Sequence, residues 1–217
     1  MRGASKPRQL GDLPFARHLE PAGSIGIEGE YDCAHFEGLT LDGIDATGTH
    51  FTECALSGLT VTGGAFRHAR FNDAWIHGTQ WTGVDCSDSS WLDTELVDDA
   101  FSGVELFGAN LRRVRFHHCK FDSVNLRGAV LNEVSFVDCV LRHVDISEAK
   151  LTAVSFPGTQ IEALSLRKAQ LKKVDFRTAR TLGVFDGIES LAGATVTQTQ
   201  LLELAPVFAH TFGIEVR

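Results

Sequence analysis

The sequence is poor in the features that usually announce chemistry. It has one methionine, one tyrosine, five cysteines and five prolines in 217 residues. No run of about 18 apolar residues occurs, so no membrane-spanning helix and no membrane partner are expected. The opening MRGASKPRQLGDLPF is basic but carries no apolar stretch, so no signal peptide is read and the expected compartment is the cytoplasm. No CxxC pair is present, which removes the usual zinc signature. Phosphate-cradling loops, G-x-S-x-G and HExxH are all missing. The expectation is a protein that is not an enzyme and holds no cofactor or metal. Lysine and arginine are absent between Phe71 and Leu111, a stretch that carries Asp73, Asp85, Asp88, Asp93, Glu95, Asp98, Asp99 and Glu105.

What is present is a period. In the block Ala109–Phe136 the third residue of each five is Leu111, Phe116, Phe121, Leu126, Leu131 and Phe136. The first is Ala109, Val114, Cys119, Val124, Ala129 and Val134. Five matches neither the 3.6 of a helix nor the 2.0 of a strand, so it marks a repeat architecture. Counting by fives from Tyr31 to Phe176, every such core position is large and apolar except Ala46 and Cys86. A second period of twenty overlies the first. Leu96, Phe116, Phe136, Phe156 and Phe176 form one series, and Ala109, Ala129, Ala149 and Ala169 another. Sorting of this kind predicts four-sided coils of twenty residues, each side with its own steric space.

The fives AVLNE, ANLRR and VNLRG resemble the pentapeptide-repeat family, whose consensus is A(D/N)LXX. The resemblance covers about three-quarters of the chain. It implies an all-β fold, a right-handed quadrilateral parallel β-helix, with coils spaced at ~4.8 Å. The expected organisation is an N-terminal cap over 1–29, the β-helix over 30–185, and a C-terminal capping and dimerisation segment over 186–217.

Several local expectations follow. Leu10, Leu13, Phe15, Leu19 and Ile25 are candidates to cover the first coil, and Met1–Arg8 is expected to be disordered. Glycine often stands two residues after a core position up to Gly108, which predicts corners with positive φ. Beyond it the same slot holds Arg113, His118, Ser123, Glu133 and Asp138, so other corner geometry is expected there. Asp99 points inward at a small position, satisfied in a bulge or marking a distorted coil. Buried free thiols are expected of the inward cysteines, and a solvated corner at His117 and His118. Trp75 and Phe107, at outward positions, either anchor a partner or lie under a cap. The stretch 195–217 is expected to be helical, N-capped by Thr197 or Thr199, kinked or split at Pro206, and ended by Gly213.

Charge is unevenly divided. Residues 29–111 hold fourteen acids and two bases, whereas 112–180 hold seven acids and thirteen bases. The chain also resembles the gyrase-interacting pentapeptide proteins of the MfpA and Qnr type. That resemblance implies an acidic rod that mimics DNA toward gyrase or topoisomerase IV, dimerised through its C-terminal end, without direct nucleic-acid contact. The chain departs from that type in lacking an obvious inserted loop and in its basic second half. The candidate partner-binding acids are Asp45, Glu53, Asp73, Asp85, Asp88, Asp93, Glu95, Asp98 and Glu105. Glu53, Asp73 and Asp93 are placed in one corner column, with Asp45, Asp85 and Glu105 on an adjoining side. The candidate dimer residues are Leu201, Leu202, Leu204, Val207, Phe208 and Phe212. A scaffold or adaptor for another protein is the alternative reading.

Overall fold

A computed structural model describes residues 6–215. Between Glu30 and Asp186 the chain winds through short parallel strands, most of three residues, joined by corners. Each strand pairs with the one twenty residues away, as in Trp91↔Leu111↔Leu131↔Leu151. The result is the expected quadrilateral parallel β-helix. Its first face runs from Glu30–Asp32 to Gln170–Lys172, and the second from Ala34–Glu37 to Ser135–Val137. The third runs from Thr40–Asp42 to Thr181–Asp186. The fourth is thinner, held largely by single bridges such as Asp45↔Ala65↔Asp85↔Glu105.

The core is the predicted series of columns. Phe116, Phe136, Phe156 and Phe176 stack with centroids 4.9, 5.2 and 4.8 Å apart. Those distances match the coil repeat, so each ring meets the next in near-parallel contact. In the fourth-face column Phe66 stands between Ala46 and Cys86 and fills the space that the two small residues leave. Cys54, Cys86, Cys119 and Cys139 are buried free thiols.

Corner geometry is uniform along the rod, against the expectation of a change after Gly108. Arg113, His118, Ser123, Glu133 and Asp138 all have φ between 51 and 57°. The left-handed conformation costs roughly 1–2 kcal/mol for a residue with a Cβ. Each corner nitrogen nevertheless donates to the coil above, as Arg113 does to the Asn132 carbonyl at 2.9 Å. Abandoning that geometry would break the inter-coil ladder on both sides, so the coil imposes it.

The register becomes irregular in the last pairing of the third face, shifting between Ile161 and Leu164 and again between Leu164 and Ser165. The pairs Gln160↔Thr181 and Ile161↔Leu182 are offset by 21 rather than twenty residues. Leu182 therefore enters the core and Thr181 faces solvent. Beyond it α1 (Gln198–Thr211) closes the end of the stack. Thr197 is the N-cap, its hydroxyl accepting from the Gln200 nitrogen at 3.1 Å. Pro206 does not split the helix. Gly213, at φ 67°, ends it, with the Ile214 nitrogen donating to the Ala209 carbonyl at 2.7 Å.

The N-terminal segment corrects the simple cap. Only Ile25 joins the main core; Leu13 and Phe15 pack instead on Ala55 and Trp75, on the outside of the second face. Residues 6–21 form a strap that climbs this wall. Glu20–Pro21 pairs with Ala34–His35, and the Arg8 carbonyl accepts from Trp75 Nε1 at 3.1 Å. Trp75 is thus a covered residue, stacked on His77 at 5.2 Å. Its large outward indole, beside the small Ala55, gives the strap an apolar seat. Of the stretch expected to be disordered, Met1–Ser5 lies outside the described residues, while Arg8 is anchored to Glu95.

Asp99 sits inward immediately before the strand Ala100–Ser102, whose pairing is regular and shows no bulge. Several polar residues at the small position donate to the carbonyl 23 residues back, among them Thr94 to Phe71 at 3.1 Å, Thr159 to Phe136 at 2.7 Å and Cys119 to Leu96 at 3.5 Å, although the Thr79 hydroxyl, one coil below Asp99, has no partner among the described residues. An ionised Asp99 cannot donate. Its Oδ1 accepts from the Thr79 nitrogen at 2.6 Å, but Oδ2 has no partner among the described residues. Burial drives its pKa well above the ordinary carboxylate value. A raised folded pKa means the penalty is absent below the unfolded value of ~3.9 and grows as pH rises through it. Asp99→Thr, which restores the donor, should therefore stabilise the fold by about 1–3 kcal/mol at pH 7, with the gain vanishing below about pH 4. Urea titrations at the two pH values test this; equal gains at both would refute it.

Candidate functional site

Because a strand residue and its partner differ by twenty, acids spaced by twenty stack into columns. Asp45, Asp85 and Glu105 do so on the fourth face, with Ala65 between the first two. Glu53, Asp73 and Asp93 occupy the corner between the first and second faces, each with positive φ. Asp88 is exposed at the corner between the fourth and first faces. The two columns therefore flank the first face in its lower half.

Internal pairing thins this surface. Arg113 donates to both oxygens of Asp93 at 2.6 and 2.5 Å. Arg67 Nε reaches Asp85 at 2.5 Å, and Asn125 Nδ2 reaches Glu105 at 2.6 Å. Asp98 lies between His77 at 3.6 Å and His118 at 3.4 Å. The hydrogen bond from Arg113 holds the Asp93 carboxyl below its ordinary pKa, and that from Thr47 does the same for Asp45. Asp73 is shifted the other way, first by partial burial and then by the like charges of Asp93 and Glu53.

Glu95 does not belong to the open surface. It is 1% exposed beneath the strap, bound by the Arg8 nitrogen at 2.9 Å and by Arg8 Nε at 2.5 Å. His117, expected at a solvated corner, is also buried, with Nε2 3.5 Å from Glu95. Burial lowers its pKa. Of the two outward aromatics, only Phe107 is exposed.

At the C-terminal end the proposed dimer residues divide. Leu204 is buried in the cap, and Val207 and Phe208 pack partly against the core, so these three serve the lid. The reason is geometric: Gln200 Nε2 donates to the Phe176 carbonyl at 2.8 Å, which turns the 200–204–207/208 stripe toward the last coil. Leu201, Leu202 and Phe212 remain exposed, joined by Phe185 and Ile214, which sequence reasoning missed. Leu202, Ala205, Pro206, Ala209, His210 and Ile214 line an open apolar groove along the helix.

Sequence reasoning also missed the cross-coil ion pairs, although their signal was legible: Asp93/Arg113 and Arg142/Glu162 are each twenty apart. Asp32, Cys33 and Glu53 come within 4.8 Å of one another. Burial and the neighbouring carboxylates raise the Cys33 thiol pKa, which works against a thiolate ligand there.

Residues 109–185 match the family described as pentapeptide repeat region. No curated protein matches. Among solved structures, trypsin-treated QnrB1, a plasmid-mediated fluoroquinolone resistance protein, is 19% identical, with a TM-score of 0.43 over 87% of this chain and 100% of that one. HetL, a pentapeptide-repeat protein involved in heterocyst differentiation regulation from the cyanobacterium Nostoc sp. strain PCC 7120, is 17% identical, with a TM-score of 0.24 over 75% and 91%. The matched segment contains ANLRR, VNLRG and AVLNE, and the same five-residue register and twenty-residue pairing continue down to Tyr31. Residues 109–185 are thus a pentapeptide repeat region, and the chain as a whole resembles that family.

Proposed function

We propose that this protein is a non-enzymatic binding rod of the cytoplasm that presents its acidic lower half to DNA gyrase or topoisomerase IV in place of DNA. The observation that carries this reading is the pair of acid columns flanking the first face, in coils where no lysine or arginine occurs between Phe71 and Leu111. Charges on successive coils repeat at ~4.8 Å, and at ~10 Å where a coil is skipped. Duplex DNA carries one charge per ~1.7 Å of axis over both strands, so the rod offers a sparser but comparable array. Long-range attraction would draw it to a cationic groove. Two such rods joined at α1 would extend the array to both sides of a two-fold axis.

An adaptor for a different protein is favoured by the internal pairing of Asp85 and Asp93 and by exposed Phe107. The experiment that separates the readings neutralises Asp73, Asp88 and Glu105 to Asn or Gln. Asp85 and Asp93 are left alone, because their change would also release Arg67 and Arg113. The expected outcome is salt-sensitive binding of wild-type protein to gyrase, weakened about 10- to 100-fold in the variant at low salt. If wild-type protein changes neither supercoiling nor quinolone-stabilised cleavage, the adaptor reading replaces this one.

A further inference from the structure

We propose that the upper coils of the first face bind the phosphate backbone of duplex nucleic acid through Arg112, Lys150, Lys168, Lys172 and Lys173. The strands Asn110–Arg112, Val130–Asn132, Lys150–Thr152 and Gln170–Lys172 lie side by side there. Their registers place Lys150 beside Gln170 and Thr152 beside Lys172. Lys168 and Lys173 are corner residues on either side of the last strand. All five side chains are exposed.

Pairing sets this strip apart. Arg113, Arg127, Arg142, Arg167, Arg177 and Arg180 each meet a carboxylate within the chain. The five cations of the strip form no ion pair among the described residues. Glu148, one coil below Lys168, is held by Arg127 at 2.6 Å, and Glu189 lies toward Arg167. Glu133 is the remaining carboxylate on the border. A face of like charges forgoes the cross-strand attraction used elsewhere on the rod, which leaves it complementary to a polyanion.

The rest of the strip selects the kind of polyanion. Its other outward groups include Asn132, Thr152 and Gln170, with no aromatic side chain. Protein partners draw their binding energy from desolvated aromatic and arginine anchors. Phosphate contacts need only cations, amides and hydroxyls. Single strands are held by stacking on aromatics, so a rigid strip without them fits a duplex. Lysines on a flat sheet reach phosphates but not base edges, and binding is independent of sequence. The acids do not cancel the lysines of the strip: Glu105 lies three coils, ~14 Å, from the Lys168 coil, beyond the ~8 Å screening length of physiological salt, whereas Arg112 stands at the lower border beside Asp93.

The test uses duplex DNA without any topoisomerase, so its outcome is separate from the fate of the preceding proposal. Anisotropy titrations of a labelled random-sequence duplex at about 50 mM salt should show binding, with log K falling against log salt at a slope of about −3 to −4. A Lys150→Gln, Lys168→Gln, Lys172→Gln, Lys173→Gln variant with unchanged circular dichroism should bind at least about tenfold more weakly, with a shallower slope. Lys120→Gln, on the third face, should bind as wild type. Single-stranded DNA should bind less tightly than duplex. Absence of wild-type binding, undiminished binding by the fourfold variant, or equal competition by polyglutamate would each overturn the proposal.

Discussion

Phe116→Asp yields no folded β-helix at 25 °C. Phe116 is buried against Phe136 at 4.9 Å and meets Phe121 edge-on at 5.2 Å and Phe101 at 6.3 Å. Removing a buried Phe side chain costs about 3–5 kcal/mol through lost burial and the cavity left behind. A carboxylate in that space adds several kcal/mol, because no cation or donor reaches the interior of the column. The sum is comparable to the whole stability of a domain, about 5–15 kcal/mol. Phe116→Leu is the control: Leu96 already occupies the neighbouring site in this column, and the milder change should cost only about 1–2 kcal/mol. Circular dichroism and urea titration decide it. A Phe116→Asp protein melting within a few degrees of wild type would show that the column does not carry the fold.

Leu202→Asp combined with Ile214→Asp should convert the proposed dimer into monomers. The helix α1 spends Gln200, Leu204, Val207 and Phe208 on the lid, yet Leu202 is 68% and Ile214 60% exposed. With Ala205, Pro206 and Ala209 they form a continuous apolar groove at the end of the rod. An apolar patch of this kind is a liability unless covered, and a second copy related by a two-fold axis would cover it with the same surface. Phe208 is a poor choice for the test, because a polar group there would also disturb the cap. Light scattering should report twice the chain mass for wild type and one chain mass for the variant, with equal helix signal. A wild-type monomer at micromolar concentration would reject the dimer.

The sequence by itself determined the fold. A core residue every fifth position, and like residues every twentieth, leave only a four-sided parallel stack in which Phe116 meets Phe136 and Val114 meets Val134. Inward burial is a property of the repeating unit, so local sequence carries it. It also put Asp45, Asp85 and Glu105 in one column, and it held the twenty-residue offset of Asp93 and Arg113. The tertiary structure alone decided which acids remain open to a partner. Glu95 is withdrawn by Arg8, a residue 87 positions away that has no register in common with it. His117 and Trp75 follow Glu95 beneath cover, because outward positions are fixed by whatever packs on the wall rather than by the coil that presents them. The same holds for α1. Its apolar residues were visible in sequence, but the contact between Gln200 and the last coil decided that Leu204 faces inward and Leu202 faces out.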